Sequence, residues 1–184
     1  MSWGFSIESS PVPHVKMLSS AASKYRLAKY CDGLMGTDDV SEGVKLGTDS
    51  IEGYSAQLMV MLSFVALETH QRMLGSKWQD FPKSAAKPDF SKAAKGVRSS
   101  LKDHQLASLS KAMSDDRLKK RIKKFQDGDD LQVLAIISAL RNSFSHGKMG
   151  ISNSISLECG REIKSFLLQS IVDDTEAIIS SFSE

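Results

Sequence analysis

The side chains best suited to chemistry lie in one short run, Leu140-Arg141-Asn142-Ser143-Phe144-Ser145-His146-Gly147. Arginine carries a permanent positive charge, and histidine titrates near neutral pH. An imidazole can take the proton of a ribose 2′-hydroxyl or give a proton to a leaving oxygen. A guanidinium can hold the non-bridging phosphate oxygens while negative charge builds on them. Arg141 and His146 therefore suit phosphodiester cleavage, with Asn142 orienting the imidazole or holding the phosphate.

The spacing of Arg141 and His146 constrains the helix that carries them. Five residues turn a helix by about 500°, so the two side chains would lie about 140° apart around its axis. Gly147 follows directly and favours a left-handed helix end. We therefore expect a loosened final turn, in which the His146 ring folds back toward Arg141. This chemistry requires no metal ion and no cofactor.

The run Arg141 to His146 resembles the R-x4-6-H signature of the HEPN superfamily (higher eukaryotes and prokaryotes nucleotide-binding), in its RNxxxH form. The resemblance implies an all-α bundle with the motif toward the end of a late helix. It also implies a metal-independent endoribonuclease that acts as a homodimer, with the two motifs facing each other across the interface. The family occurs in toxin–antitoxin, abortive-infection and CRISPR-linked defence systems, which implies an antitoxin or defence-system partner.

Position 148 departs from one subgroup of that family. Toxins paired with small nucleotidyltransferases often carry a tyrosine two residues after the histidine, and Lys148 stands there instead. The His146-Gly147 ending is more similar to the abortive-infection-type members.

A basic segment precedes the motif and consists of Arg117, Lys119, Lys120, Arg121, Lys123 and Lys124. Such a run is most often a solvated face of the protein. Its functional interpretation is attraction of the RNA backbone, which depends on salt and not on base sequence. Lys148 would add to the same positive field. The formal net charge of +2 gives no comparable signal, so any attraction for a polyanion is local.

Length and composition indicate one globular domain over residues 1–184. Hydrophobic residues make up 41% of the chain, enough for a core, and aromatic residues only 7%, too few for an extended base-stacking surface. Cys31 and Cys159 are far apart, which excludes a disulfide scaffold and a cysteine-based zinc site. The four histidines are not grouped as metal ligands either.

The chain shows no secretory signal and no membrane-spanning pattern. The N-terminus has neither a basic region nor an apolar region of the signal type. The longest uncharged apolar stretch, 53–67, has 15 residues, whereas a spanning helix needs about 20. We therefore expect a soluble, cytoplasmic protein that does not associate with a membrane.

The spacing of apolar residues predicts an all-α protein, an up-and-down bundle of four to five helices. The predicted helices cover 15–31, 50–74, 101–113, 131–144 and 157–182. Ser156 is the predicted N-cap of the last one. Stretches 32–50 and 77–91 contain the glycines and prolines of loops and are candidate regulatory or partner surfaces.

The second predicted helix is apolar on two sides. One face carries Leu58, Met61, Leu62, Val65 and Thr69, and a second carries Met59, Phe64 and Ala66. A helix of this kind is central to the fold or lies at a subunit interface.

Glu68, late in the second predicted helix, has three interpretations: an ion pair with Arg141, an ion pair with Arg72, or exposure to solvent. His70 and His104 are interpreted as ordinary histidines. Asp174 is expected at the edge of the apolar face of the last helix.

Within the motif, Phe144 continues the apolar spacing of its helix and is expected in the core. Ser143 and Ser145 are expected to be solvated.

The leading hypothesis is an endoribonuclease that cleaves single-stranded RNA to 2′,3′-cyclic phosphate and 5′-hydroxyl ends, in a toxin or anti-phage defence role. An alternative is a non-catalytic HEPN-like dimeric module that binds RNA, a nucleotide or a partner protein. A third is a structural bundle in which the motif arises by chance.

Overall fold

The protein is described by a computed structural model over residues 13–33, 48–77, 89–145 and 155–182. These ranges contain no β-strand, which confirms the all-α prediction. They form seven α-helices: α1 Pro13–Tyr30, α2 Thr48–Met73, α3 Phe90–Ser100, α4 Asp103–Ala112, α5 Asp116–Gln126, α6 Val133–Ser145 and α7 Leu157–Ser181. A single 3₁₀ turn, Asp130–Gln132, leads into α6.

The predicted number of helices, four to five, is too low, because short helices fill the middle of the chain. No helix was expected where α3 lies, yet Phe90, Ala94 and Val97 point into the core at helical spacing. The Asp89 side chain accepts a hydrogen bond from the Lys92 N–H at 3.0 Å and caps this helix. α4 lies within the predicted helix 101–113, whereas α3 and α5, each of 11 residues, present few repeats of the apolar pattern and were not predicted as helices.

α2 is the central helix, and it packs against α1, α6 and α7. Of the two apolar sides named in the sequence analysis, the one that begins at Leu58 is half-buried, whereas the one with Met59, Phe64 and Ala66 is fully buried. The fully buried group contains Met59, Val60, Phe64, Ala66 and Leu67. Of the two predicted alternatives, a central helix or a helix at a subunit interface, the structure shows the central position, since three neighbouring helices pack against α2.

α6 is enclosed on every side over its first eight residues. Each side chain from Val133 to Leu140 is at most 5% exposed. A helix that is apolar all around has to be surrounded by protein. The Asp129 side chain accepts a hydrogen bond from the Leu131 N–H at 3.1 Å and fixes the start of the preceding turn. α6 thus runs through the core, and its last residues lie at the surface.

α7 runs parallel to α2. Near its start, Gly160 lies directly against the backbone of Ala56. Farther along, Asp174 contacts His70 at 2.9 Å. In each of these two pairs the residues are 104 positions apart in sequence, so the two helices keep the same register over about four turns. The N-cap prediction is confirmed, since the Ser156 hydroxyl accepts a hydrogen bond from the Cys159 N–H at 3.1 Å.

Both cysteines are free thiols. Cys31 is half-buried and Cys159 is fully buried. Burial, reinforced by the nearby Glu162 carboxylate, raises the pKa of the Cys159 thiol to about 12. That thiol is therefore protonated and unreactive at neutral pH.

One helix within the described ranges, Ser50–Met73, is long and apolar enough by length and composition to cross a membrane. Half of its most apolar window is buried inside the protein. The core helix of a soluble protein has the same properties, so this segment alone is weak evidence for a membrane span.

Gly160 on α7 and Gly96 on α3 should differ in how well they tolerate substitution by alanine. A methyl group at Gly160 would lie 2.8 Å from the Ala56 Cα of α2. A methyl group at Gly96 would instead meet the end of the exposed Glu162 side chain. Both substitutions to alanine gain the same helix propensity. We expect Gly160→Ala to be less stable than Gly96→Ala by about 1–3 kcal/mol in urea unfolding, because the α2 backbone cannot move aside. Equal stability of the two variants would contradict this packing.

Candidate functional site

Arg141 and Asn142 lie where α6 leaves the core. Both are half-buried, and Ser145 at the end of the helix is exposed. The backbone stays helical from Arg141 to Ser145, and the Ser145 hydroxyl donates to the Arg141 carbonyl at 2.9 Å. His146, Gly147 and Lys148 lie outside the described residues. The expected folding back of His146 therefore stays a prediction.

The Arg141 guanidinium has partners on two helices. Its Nη2 lies 3.3 Å from Oε2 of Glu68 on α2, and its Nη1 donates to Oδ1 of Asn142 at 3.0 Å. Its Cζ lies 6.0 Å from the centre of the Phe64 ring. Among the three interpretations of Glu68, the structure shows the ion pair with Arg141.

This arrangement orients a cation without enclosing it. The Arg141 side chain is 31% exposed and that of Glu68 is 25% exposed, so solvent and ligands reach the pair. A guanidinium has five N–H donors, and the contacts to Glu68 and Asn142 use one on each terminal nitrogen. The remaining donors can bind the oxygens of a phosphate while Glu68 keeps the plane of the group in place.

The two serines of the motif differ in their surroundings. Ser145 is exposed, as expected, but the expectation of a solvated Ser143 is wrong, since that residue is fully buried. Position 143 follows Leu140 by three residues and Ala139 by four, which places it on the enclosed side of α6. Its hydroxyl has no hydrogen-bond partner within the described part of the chain. Phe144 is half-buried and packs against the core.

The basic segment forms α5. Its apolar side chains, Leu118, Ile122 and Phe125, are buried, and α5 packs against α6. The basic residues lie on the remaining faces, as expected for a solvated face. Four of them are exposed, namely Arg117, Lys120, Lys123 and Lys124.

Two basic side chains of α5 already have partners inside the chain. Lys119 forms an ion pair with Asp116 at 3.0 Å, and Arg121 donates from Nε to Oε1 of Gln132 at 2.7 Å. Burial lowers the pKa of the Arg121 guanidinium, and the Asp129 carboxylate opposes that effect. The exposed lysines are therefore better placed to meet a polyanion than Lys119 and Arg121.

A second polar pair was missed by the sequence analysis. His70 Nε2 lies 2.9 Å from Asp174 Oδ2, and the two residues are 4% and 1% exposed. The expectation that Asp174 lies at the edge of its helix is therefore wrong. Helical spacing could have indicated that both residues are buried. His70 follows buried Ala66 by four residues and Asp174 follows buried Ile171 by three, which puts both polar residues on core-facing stripes.

No group of three or more histidine, cysteine, aspartate or glutamate side chains is placed to hold a metal ion within the described ranges. Comparisons of the chain with family models, with curated proteins and with solved structures gave no match. Its function therefore has to be argued from the chemistry of its own side chains.

The two polar pairs are expected to differ in their contribution to stability. Asp174→Ala leaves the buried His70 without a partner and should lower the free energy of unfolding by about 2–4 kcal/mol. Glu68→Ala removes a solvent-accessible partner and should cost less than about 1 kcal/mol. Chemical denaturation of both variants measures the difference. A larger loss for Glu68→Ala would mean that the Arg141 pair is a structural element.

Proposed function

We propose that this chain is a HEPN-type endoribonuclease that cleaves single-stranded RNA without a metal ion. The observation that carries the proposal is the oriented guanidinium of Arg141, held by Glu68 and Asn142 where α6 reaches the surface. His146 follows it by five residues, in the spacing of the R-x4-6-H signature.

In the proposed reaction, His146 accepts the proton of a ribose 2′-hydroxyl. The 2′-oxygen then attacks the adjacent phosphorus, a new O–P bond forms, and the bond to the 5′-oxygen breaks. A protonated imidazole supplies the proton to the departing 5′-oxygen. Arg141 stabilises the charge on the non-bridging oxygens, and Asn142 orients the imidazole or the phosphate. The products are a 2′,3′-cyclic phosphate and a 5′-hydroxyl.

Glu68 acts in this proposal as a positioning residue for Arg141. Arginine side chains have several rotatable bonds, and an ion pair with a fixed partner limits their freedom. Glu68 is part of the central helix α2, so the position of its carboxylate is set by the packing of the core. The cost is that the phosphate has to share the guanidinium with a carboxylate.

The half-buried stripe of α2 suits the proposed homodimer. It contains Leu58, Met61, Leu62 and Val65, with Thr69 at its end. Glu68 follows Val65 by three residues and Met61 by seven, so it borders the stripe on the same side of the helix. A second copy packed against this stripe would bring its own Arg141 and His146 toward the first set, and each catalytic centre would gain a second cation and a second imidazole.

RNA would be attracted by backbone charge more than by base stacking. Lys120, Lys123 and Lys124 are exposed on α5, which packs against the motif helix α6. Lys148 would extend this field beyond the motif. A basic helix of this kind binds phosphates without regard to sequence. We further propose that the protein acts in the cytoplasm as a toxin or in anti-phage defence. An antitoxin or another defence-system protein would then restrain its nuclease activity.

The first test is cleavage of end-labelled single-stranded RNA in the presence of EDTA. We expect the wild type to cleave and Arg141→Ala/His146→Ala to lose activity, with His146→Ala alone slower by about 10²–10⁴-fold. The matched control is Arg161→Ala/His104→Ala, which removes an exposed arginine and an exposed histidine elsewhere. The control should cleave like the wild type.

Equal cleavage by the wild type and the motif variant would refute the assignment of Arg141 and His146. RNA binding without cleavage by either protein would favour the non-catalytic dimeric module instead. For that module the observation in favour is that Glu68 already balances the charge of Arg141.

The second test addresses the dimer. Met61→Lys/Val65→Lys places two charges on the half-buried stripe of α2 and should convert dimers to monomers, because unpaired charges are disfavoured in an apolar interface. Light scattering after size exclusion gives the mass, and circular dichroism checks that the helices remain. Cleavage should fall together with the dimer. A folded monomer with full activity would contradict the shared active site.

A further inference from the structure

A groove with a volume of about 520 Å³ lies on α2 between α1 and α7. Ala66, His70 and Met73 of α2 form its floor, and Tyr25 and Ile171 belong to the two walls. Ligand pockets in proteins commonly have volumes of about 300–1,000 Å³. The groove is therefore large enough for a small molecule.

This groove is separate from the Arg141 contact. Glu68 and His70 are two positions apart on α2, which places them about 200° apart around the helix axis. Glu68 faces α6 and His70 faces α7. A ligand in the groove would therefore not contact Arg141 or its partner Glu68.

The floor of the groove carries a polar group with one unused atom. His70 Nε2 donates to Asp174 Oδ2 at 2.9 Å, since a carboxylate can only accept, and Gln71 Nε2 lies 3.4 Å from the same oxygen. His70 is 4% exposed, and its Nδ1 makes no hydrogen bond within the described residues. In the tautomer that carries its proton on Nε2, Nδ1 is a hydrogen-bond acceptor, and it belongs to a side chain that lines the groove.

Positive charge lies farther along the groove. Gly33, just past the end of α1, lies against Ser55 on α2, whereas Leu18 lines the groove with His70. α1 therefore runs antiparallel to α2, and His70 lies near the level of Leu18. Arg26 follows Leu18 by eight residues, and its side chain is exposed. The positive charge of Arg26 therefore lies about 12 Å along the helix axis from the level of His70.

The charged residues of the groove divide between its two walls. Arg26 and Lys29 are on α1, and Glu176 is on α7. Glu176 follows Asp174 by two residues, so the acidic group belongs to the His70 end. The opposite end of the groove is the positive one.

We infer that this groove binds an elongated amphipathic carboxylate that carries a hydrogen-bond donor at its far end. The carboxylate pairs with Arg26 and Lys29, and the apolar body lies along Ala66 and Ile171. The donor reaches Nδ1 of His70, which Asp174 holds in place. The acidic Glu176 disfavours the reversed orientation, because it would repel the carboxylate.

The probe is 10-hydroxydecanoate, whose extended length of about 12 Å matches the separation of the two ends estimated from the helix rise. Two analogues each lack one of its features: decanoate lacks the hydroxyl, and methyl 10-hydroxydecanoate lacks the charge. Isothermal titration calorimetry should show the tightest binding for the hydroxy acid. Decanoate should bind at least about threefold more weakly, and the ester at least about fivefold more weakly.

Two variants assign these differences to side chains. Arg26→Ala/Lys29→Ala should abolish the preference for the acid over its ester. His70→Gln should abolish the preference for the hydroxy acid over decanoate. The matched control is Lys95→Ala/Lys111→Ala, which removes two exposed lysines on α3 and α4 and should leave all three affinities unchanged.

Circular dichroism first establishes that each variant is folded. If His70→Gln does not fold, the test relies on the affinities measured with Arg26→Ala/Lys29→Ala, since truncating exposed side chains does not disturb the core. Three results would overturn the inference: no binding of the hydroxy acid below about 1 mM, equal binding of all three compounds, or equal losses in the groove variant and the lysine control.

Discussion

The parallel contact between α2 and α7 is the constraint on which the rest of the structure depends. Gly160 lets the two backbones approach at one end, and the buried pair of His70 and Asp174 joins them at the other. With both ends fixed, α2 can neither slide nor rotate against α7. α2 in turn supplies Glu68 and Phe64 to one side and the floor of the groove to the other. The geometry around Arg141 is therefore decided by side chains that lie on the opposite face of α2.

Much of the fold could be predicted from local sequence patterns. The long helices carry enough apolar repeats to show their period, and Ser156 caps α7 as its position suggests. Of the short helices, α4 lies within the predicted helix 101–113, but α3 and α5 were not predicted, because each presents only three buried side chains. In α2 the apolar residues lie on two sides, which correctly indicated a central helix, because a helix with several packed neighbours is apolar over most of its surface.

The candidate site was predictable only in part, for a related reason. Arg141 and Asn142 stand out by residue type and spacing within a single helix. Their partner Glu68 comes from a helix 73 positions earlier, and no local pattern chooses between its pairing with Arg141 and with Arg72. Ser143 and Asp174 were misplaced because polar residues usually face solvent. Whether such a residue is buried depends on the neighbouring helix, which sequence spacing does not reveal.

The separation of 104 positions between the paired residues of α2 and α7 has a consequence for biosynthesis. A ribosome that adds about 5–20 residues per second needs about 5–20 s to proceed from His70 to Asp174. During that interval α2 exists without the helix that fixes its register, and the apolar residues that pack against α7 have no permanent partner. Contacts between distant parts of a chain form late and slowly. The site around Arg141 is consequently assembled only after α7 has been made, which delays any activity until that helix is in place.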